Sequence, residues 1–479
     1  MFKLFAKISL FSTLFSLPFA GISVGVESSI QSLDFSGSGP LFLSDNQIQE
    51  DLHQAERLLQ DNYVRYPLLE KAGVSWQSAF KKLADQMLTK TNPTLTHHFQ
   101  KQLIKALEFT EDSNLQADLF LNKRHYVQRI EPKVAFYSGI RMAQQQERFR
   151  VLPSLKQPKN IVNHWFIDCK TTQEVFFPVL PERQSELLFM LGQQANHQLQ
   201  SLDCTFENDS AEKQQILLPL IMSEAELNRP EMPVYEYKVG RTPYVRWYRD
   251  GKPEEIAVKQ FQKLARKLQT TRTLIIDVRG NRNGSFAFIE KWLKEFTSNH
   301  WKNVIVRERQ TLPVLKGLLN RVQWNLHHST PRLLIGQHQL EQKRMQLQAL
   351  INHFRDKGID EKWVETKFIF NGQNNAPKWN TRLIVIANQH CGNGCQFLAA
   401  LTRQIPNGIL IGTNTGPFPK NISGPIYQLK HSSIMLSFSH RMHLDHRGKP
   451  VSPSGYLPDY WLFPPMGLTD ILRFASKSN

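Results

Sequence analysis

The amino-acid sequence predicts a mixed α/β protein of the α+β kind, with an N-terminal helical region, a β-rich insert and a core built on a mixed sheet. Three observations lead there. Residues 43–125 carry apolar side chains at helical spacing, residues 126–232 break into short β-type runs, and residues 233–479 alternate strand with helix. Removal of a leader from the 479 residues would leave roughly 450, enough for two or three domains.

The leader is residues 1–25. Lys3 and Lys7 precede an apolar run from Ile8 to Phe19 that Pro18 interrupts, and the small residues Ala20, Gly21, Ser23 and Gly25 follow. This is the layout of a cleavable signal peptide; an uncleaved anchor is the alternative, although the run is short for a membrane span. The mature chain is therefore expected to be secreted or periplasmic.

Next, Ser44 and Gln47 form a capping box, and Ile48, Leu52, Ala55, Leu59 and Tyr63 follow along one helix face. Helical runs at Trp76 to Thr89 and Leu95 to Phe109 complete that region. Val151 to Leu152, Trp165 to Ile167 and Val175 to Val179 are then strand-like. In the core, Tyr235 to Val239 and Tyr244 to Tyr248 flank a turn, and a helix from Glu255 to Leu268 feeds the strand Leu274 to Val278. A helix from Ser285 to Thr297 leads to the strand Asn303 to Arg307. The polar stretch 310–378, with a charged helix at Leu334 to Phe354, is an insertion over one end of the sheet. Leu383 to Ala387 is a strand, Cys391-Gly392-Asn393-Gly394-Cys395 a sharp turn, Phe397 to Gln404 a helix and Ile409 to Ile411 a strand. Strand, helix and strand in succession call for crossover connections and a largely parallel or mixed sheet.

The turn around Asn393, the run LIIDVRGNRNG at Leu274 to Gly284 and GYLPD at Gly455 to Asp459 together resemble the tail-specific (carboxyl-terminal processing) protease family, whose core is shared with the tricorn protease. The resemblance covers roughly Pro233 to Ile471 and implies a ClpP/crotonase-like core and serine-type proteolysis. Many members carry a PDZ domain near the insert, but Gly192 is the only glycine between Ile140 and Val239, which argues against a carboxylate-binding loop there.

What the resemblance implies about the site is unusual. Acyl transfer needs a hydroxyl nucleophile, a base and oxyanion donors. Matched on Gly412, the family's serine falls at Asn393 and a following glutamate at Gln396; an amide can hydrogen-bond but cannot attack. The histidine base of tricorn-like relatives falls at Asn114, with His125 nearby as a substitute. The lysine base of the bacterial type falls at Phe418, with Lys420 two residues late. The orienting glutamate falls at Ser452. Gly280, Asn281, Asn283, Gly284 and Gly394 are the candidate oxyanion or peptide-binding positions.

Four cysteines fall into two local pairs, Cys169 with Cys204 and Cys391 with Cys395, as two disulfides of an exported protein would. The alternatives are a zinc site using Cys391, Cys395 and His390, and a reactive Cys395 thiolate near a helix N-terminus. Residues Ser437 to His446 hold three histidines and an aspartate. No metal is assigned there, because a strand would place those polar residues on its solvent face.

The formal charge is +17, or +15 without Lys3 and Lys7, and it is scattered along the chain. Outside the cytoplasm this excess suits anionic envelope surfaces or acidic polypeptides and not nucleic acid. No cofactor is called for. The expectation is thus a secreted protein on a peptidase scaffold that has lost catalysis and binds polypeptide segments. The alternative is an active serine-type or cysteine-type peptidase with a relocated set such as Ser452, His125 and Lys420, or Cys395.

Overall fold

The computed structural model describes residues 33, 38–88, 93–131, 133–153, 159–170, 174–181, 186–195, 200–222, 234–239, 242–247, 259, 263–281, 286–297, 300–328, 334–371, 381–392, 394–405, 407–416, 424–463 and 466–476. The leader residues 1–25 lie outside them. The fold is mixed α/β, as the sequence predicts.

The helix Asp45–Asn62 begins at the Ser44 capping box, with the Ser44 backbone N–H donating to Gln47 Oε1 at 2.9 Å. It buries Ile48, Leu52, Ala55 and Leu59 against the helices Trp76–Leu88 and Thr96–Ala106. Asp51, on the same buried face, accepts the backbone N–H groups of His431 at 2.9 Å and Ser432 at 2.7 Å, which fastens this region to the core. The strand Arg124–Arg129 pairs with Gln116–Leu121, which pairs in turn with Met435–Ser437. This small sheet therefore joins the helical region to the core and runs across the boundary at residue 125.

Among the described residues one large sheet runs through both insert and core. Its core half places Thr242–Trp247, Thr273–Asp277, Arg382–Ala387, Ile409–Gly412 and Tyr460–Trp461 side by side and parallel. These strands are near-continuous apolar runs because helices cover them. Buried Trp292, Phe296 and Leu398 lie over one face in the main core cluster, while Ile275, Ile384, Ile411 and Ile471 pack on the other. The insert half is antiparallel, and Trp461 pairing with Val179 is the one register position linking the halves.

The long strands His300–Thr311 and Glu361–Asn371 pair antiparallel, with the helices Leu312–His328 and Leu334–Lys357 between them in sequence. The insertion read over 310–378 is thus a helical hairpin mounted on a strand pair. Arg441–Leu444 adds to that pair. His440 and His443 are both buried, which corrects the expectation of a solvent-facing polar strand. Both faces of this strand are covered: Val64, from the helical region, packs with Met442 and Leu444 and donates its N–H to Ser439 O at 3.1 Å, and on the alternate face His443 meets the Phe397 ring.

Candidate functional site

The strand Arg382–Ala387 ends at Asn388, whose Oδ1 accepts the N–H of Gly280 at 3.0 Å and of His390 at 3.2 Å. Gly392 N–H donates to Asn281 O at 3.0 Å, and Cys391 is disulfide-bonded to Cys395. The helix Gly394–Thr402 follows, with all nine residues buried. Asn393 lies outside the described residues, as do Asn283, Gly284, Phe418 and Lys420.

Two expected donors prove to be committed. Gly280, at φ 80, gives its N–H to Asn388, and Asn281 gives its own to Val278 O at 3.1 Å. Both serve the turn, so they are not open donors for a substrate oxygen. The Asn281 side chain is buried, with Nδ2 3.5 Å from Trp247 O and Oδ1 without a hydrogen-bond partner among the described residues. Gly394, fully buried, opens the helix.

Just before this turn, Asp277 and Arg279 form a fork with contacts of 3.0 and 2.8 Å, and the Tyr244 hydroxyl donates to Asp277 at 2.7 Å. Burial alone would raise the Asp277 carboxyl, but Arg279 beside it and the tyrosine hydroxyl hold it below its ordinary value. Burial, then the adjacent Asp277 charge, pushes the Tyr244 hydroxyl up.

Gln396, where the resemblance places a glutamate, is fully buried and donates Nε2 to Gly416 O. Gly416 N–H donates to Cys391 O at 3.0 Å, and Thr415 exchanges bonds with Tyr456 at 2.9 and 2.8 Å. Gly455 sits at φ 87, where a Cβ would meet the Thr415 and Gly416 carbonyl oxygens at 2.5 Å. Asp459 caps the strand Ile409–Gly412 by accepting Leu410 N–H at 2.8 Å. The first two motifs and the Gly455–Tyr456 end of the third therefore lie at the carboxyl ends of the parallel strands, where α/β sheets hold their sites, while Asp459 reaches back to the amino end of Ile409–Gly412.

Asn114 and Ser452 also come together. They line one small pocket with Arg65, Asp112, Arg441 and His443, whose free volume of about 10 Å³ is room for roughly one water. Asp112 is fixed by the Tyr63 hydroxyl at 3.0 Å and by Asn114 N–H at 3.0 Å. Burial, then Arg65 and Arg441, lowers the His443 imidazole from 6.5 to about 3, so it is neutral. Sequence reasoning placed His443 on a solvent face, although apolar Met442 and Leu444 flank it; its ring centroid lies 6.2 Å from that of Phe397, which comes from another element. His125 is elsewhere, bonded to Asp118 at 2.8 Å and stacked on Phe120.

The cysteines settle two alternatives. Cys169 pairs with Cys204 and Cys391 with Cys395, and no cysteine is free. Cys395 is therefore neither a thiolate nucleophile nor a zinc ligand. No group of three His, Cys, Asp or Glu residues suited to a metal is present among the described residues.

With this geometry in view, comparison with known proteins shows what the core is similar to. Residues 244–462 match the model of peptidase family S41. The S41 match contains all three motifs, and the resemblance read from them is borne out. Comparison with curated proteins finds no match. Solved structures similar to the chain include mature CPAF in complex with lactacystin, at 13% identity over 91% of this chain and 96% of that one, with a TM-score of 0.42. The photosystem II D1 C-terminal processing protease is 11% identical over 90% and 96%, TM-score 0.34. The tricorn protease is 11% identical over 87% of this chain and 34% of its own, TM-score 0.31. Likeness at this depth says nothing about chemistry; the S41 reading stands on the matched core.

Proposed function

We propose that this protein, whose residues 244–462 match peptidase family S41, is exported, does not hydrolyse peptides and binds polypeptide segments. One observation carries the reading: Asn114 and Ser452 face a single pocket, and neither can take or orient a proton as an imidazole or a carboxylate would. Asn393 at the nucleophile position agrees with it. So does Gln396, because a carboxylate has no proton to offer Gly416 O, whereas the amide has one.

The test uses the purified mature chain with unfolded casein and with apolar-tailed peptides. The expected result is binding without cleavage, unchanged by Asn393→Ala. Cleavage that Asn393→Ala abolishes would overturn the reading. Export is tested separately by fractionation and by amino-terminal sequencing, which should find a chain starting close to residue 25.

A second reading has one observation in its favour, since Ser452 shares its pocket with a neutral histidine, His443. A serine-directed covalent probe that labels Ser452 would support a relocated hydrolase. Against it, an imidazole held at about 3 is a weak base for a serine proton.

A further inference from the structure

A second cleft lies apart from the pocket between Asn114 and Ser452. It has a volume of about 780 Å³ and opens where the two halves of the large sheet part company. Among the described residues only the two-residue strand Tyr460–Trp461 bridges those halves, so on the amino-terminal side of Tyr460 the sheet divides. Leu187 and Phe189 of the insert form one wall, and Ile409, Leu457 and Tyr460 of the core form the other.

Two features mark this cleft as more than a seam. Leu187 is 62% exposed and Leu457 43% exposed, so each wall presents a large apolar side chain to solvent. Its charges are also unequally committed. Asp445 accepts the N–H groups of Arg447 and Lys449, both at 2.8 Å, and Asp459 accepts Leu410 N–H at 2.8 Å. Arg403 donates to Leu457 O and lies 3.7 Å from Asp459. The Arg447 guanidinium, in contrast, has no hydrogen-bond or ion-pair partner among the described residues. The carboxylates are thus occupied in holding loops, and an uncommitted cation remains beside apolar walls.

Resting on the polypeptide-binding reading above, we infer that this cleft, and not the turn at Cys391 to Cys395, is where the chain takes its ligand, a polypeptide segment that carries apolar side chains next to an acidic one. The volume suits a few residues of such a segment. Apolar side chains would seat between Leu187 and Leu457, and a carboxylate would meet Arg447. Val451 and Ser452 line both this cleft and the small pocket, so a bound segment passes the degenerate site without entering it.

The experiment is fluorescence anisotropy with two labelled peptides on the full mature chain, one of alternating leucine and aspartate and one with lysine in place of aspartate. The acidic peptide should bind more tightly. Leu187→Asp should weaken it about tenfold through lost apolar burial and added repulsion. Arg447→Glu should weaken it about threefold, and should improve binding of the lysine peptide. Both positions are exposed, so circular dichroism and melting temperature should match the parent. Binding of the acidic peptide that neither variant alters would overturn the cleft while leaving the polypeptide-binding reading intact. Absence of binding to these peptides and to unfolded casein alike would overturn both.

Discussion

The end of the strand Thr273–Asp277 and the pocket shared by Asn114 and Ser452 treat charge in opposite ways. At the first, Asp277, Arg279 and Tyr244 answer one another at 2.7 to 3.0 Å in a buried setting. At the second, the positions where the S41 resemblance asks for a base and a carboxylate hold an amide and a hydroxyl, beside an imidazole that burial keeps neutral. The difference separates two kinds of motif residue. Those that hold the turns in place keep their charges, because a buried charge without its partner is costly. Those whose charge would serve only a reaction can be neutralised without harm to the fold.

The sharpest way to break this comparison is Asp277→Ala. It leaves the Arg279 guanidinium, 15% exposed, beside an empty space. A loss of about 3–5 kcal/mol is expected by urea denaturation. A loss under 1 kcal/mol would mean that the fork is ornamental and that the two regions do not differ.

Gln396→Glu, which restores the residue type the resemblance implies, comes next. It would set an acceptor-only carboxylate against Gly416 O in a fully buried place. The expected cost is about 1–3 kcal/mol, with no gain in hydrolysis. An unchanged stability would show that this part of the site still accommodates a charge.

The pH profile distinguishes the regions as well. In the unfolded chain His440 and His443 take protons near their ordinary 6.5, but in the folded chain only near 3. Their contribution is therefore complete above pH 6.5 and is lost as pH falls toward 3; by pH 5.5 the loss is about 1 kcal/mol for each histidine. The Asp277 carboxyl, held below 3.8, keeps its contribution until the solution is more acid than that. Urea midpoints at pH 7.5 and 5.5 should differ in the parent and differ less in His443→Gln.

How far the sequence disclosed all this depended on how local each signal was. Ser44 with Gln47, the strand at Leu274 and the turn carrying Cys391 and Cys395 are written in neighbouring residues, and each is found where the local pattern places it. The meeting of Asn114 with Ser452 was legible only through the family resemblance, since more than 300 positions separate them. Gly280 was misjudged as an open donor because its partner, Asn388, belongs to another strand. His443 was misjudged because its neighbour Phe397 belongs to another element, and no periodicity along a four-residue strand reports what a distant segment lays against it. The cleft between Leu187 and Leu457 was invisible for the same reason, as its walls are far apart in the chain.

The smallest effect is expected at Ser452. Its side chain is exposed where the small pocket and the large cleft adjoin, unlike Gln396, which is sealed within the helix Gly394–Thr402. A carboxylate there stays in water, and Arg65 and Arg441 line the same pocket, so Ser452→Glu should move stability by no more than about 0.5 kcal/mol. Alone it should create no hydrolysis, since a nucleophile and a base are still missing. The informative variant is the triple one, with Asn393→Ser and Asn114→His added. Measured turnover of a peptide by that protein, against none by the parent, would show that the scaffold still aims those three positions at one another. A folded but inert triple variant would show that committing the Gly280 and Asn281 N–H groups to Asn388 and Val278 has closed the oxyanion side, which side-chain replacement alone does not reopen.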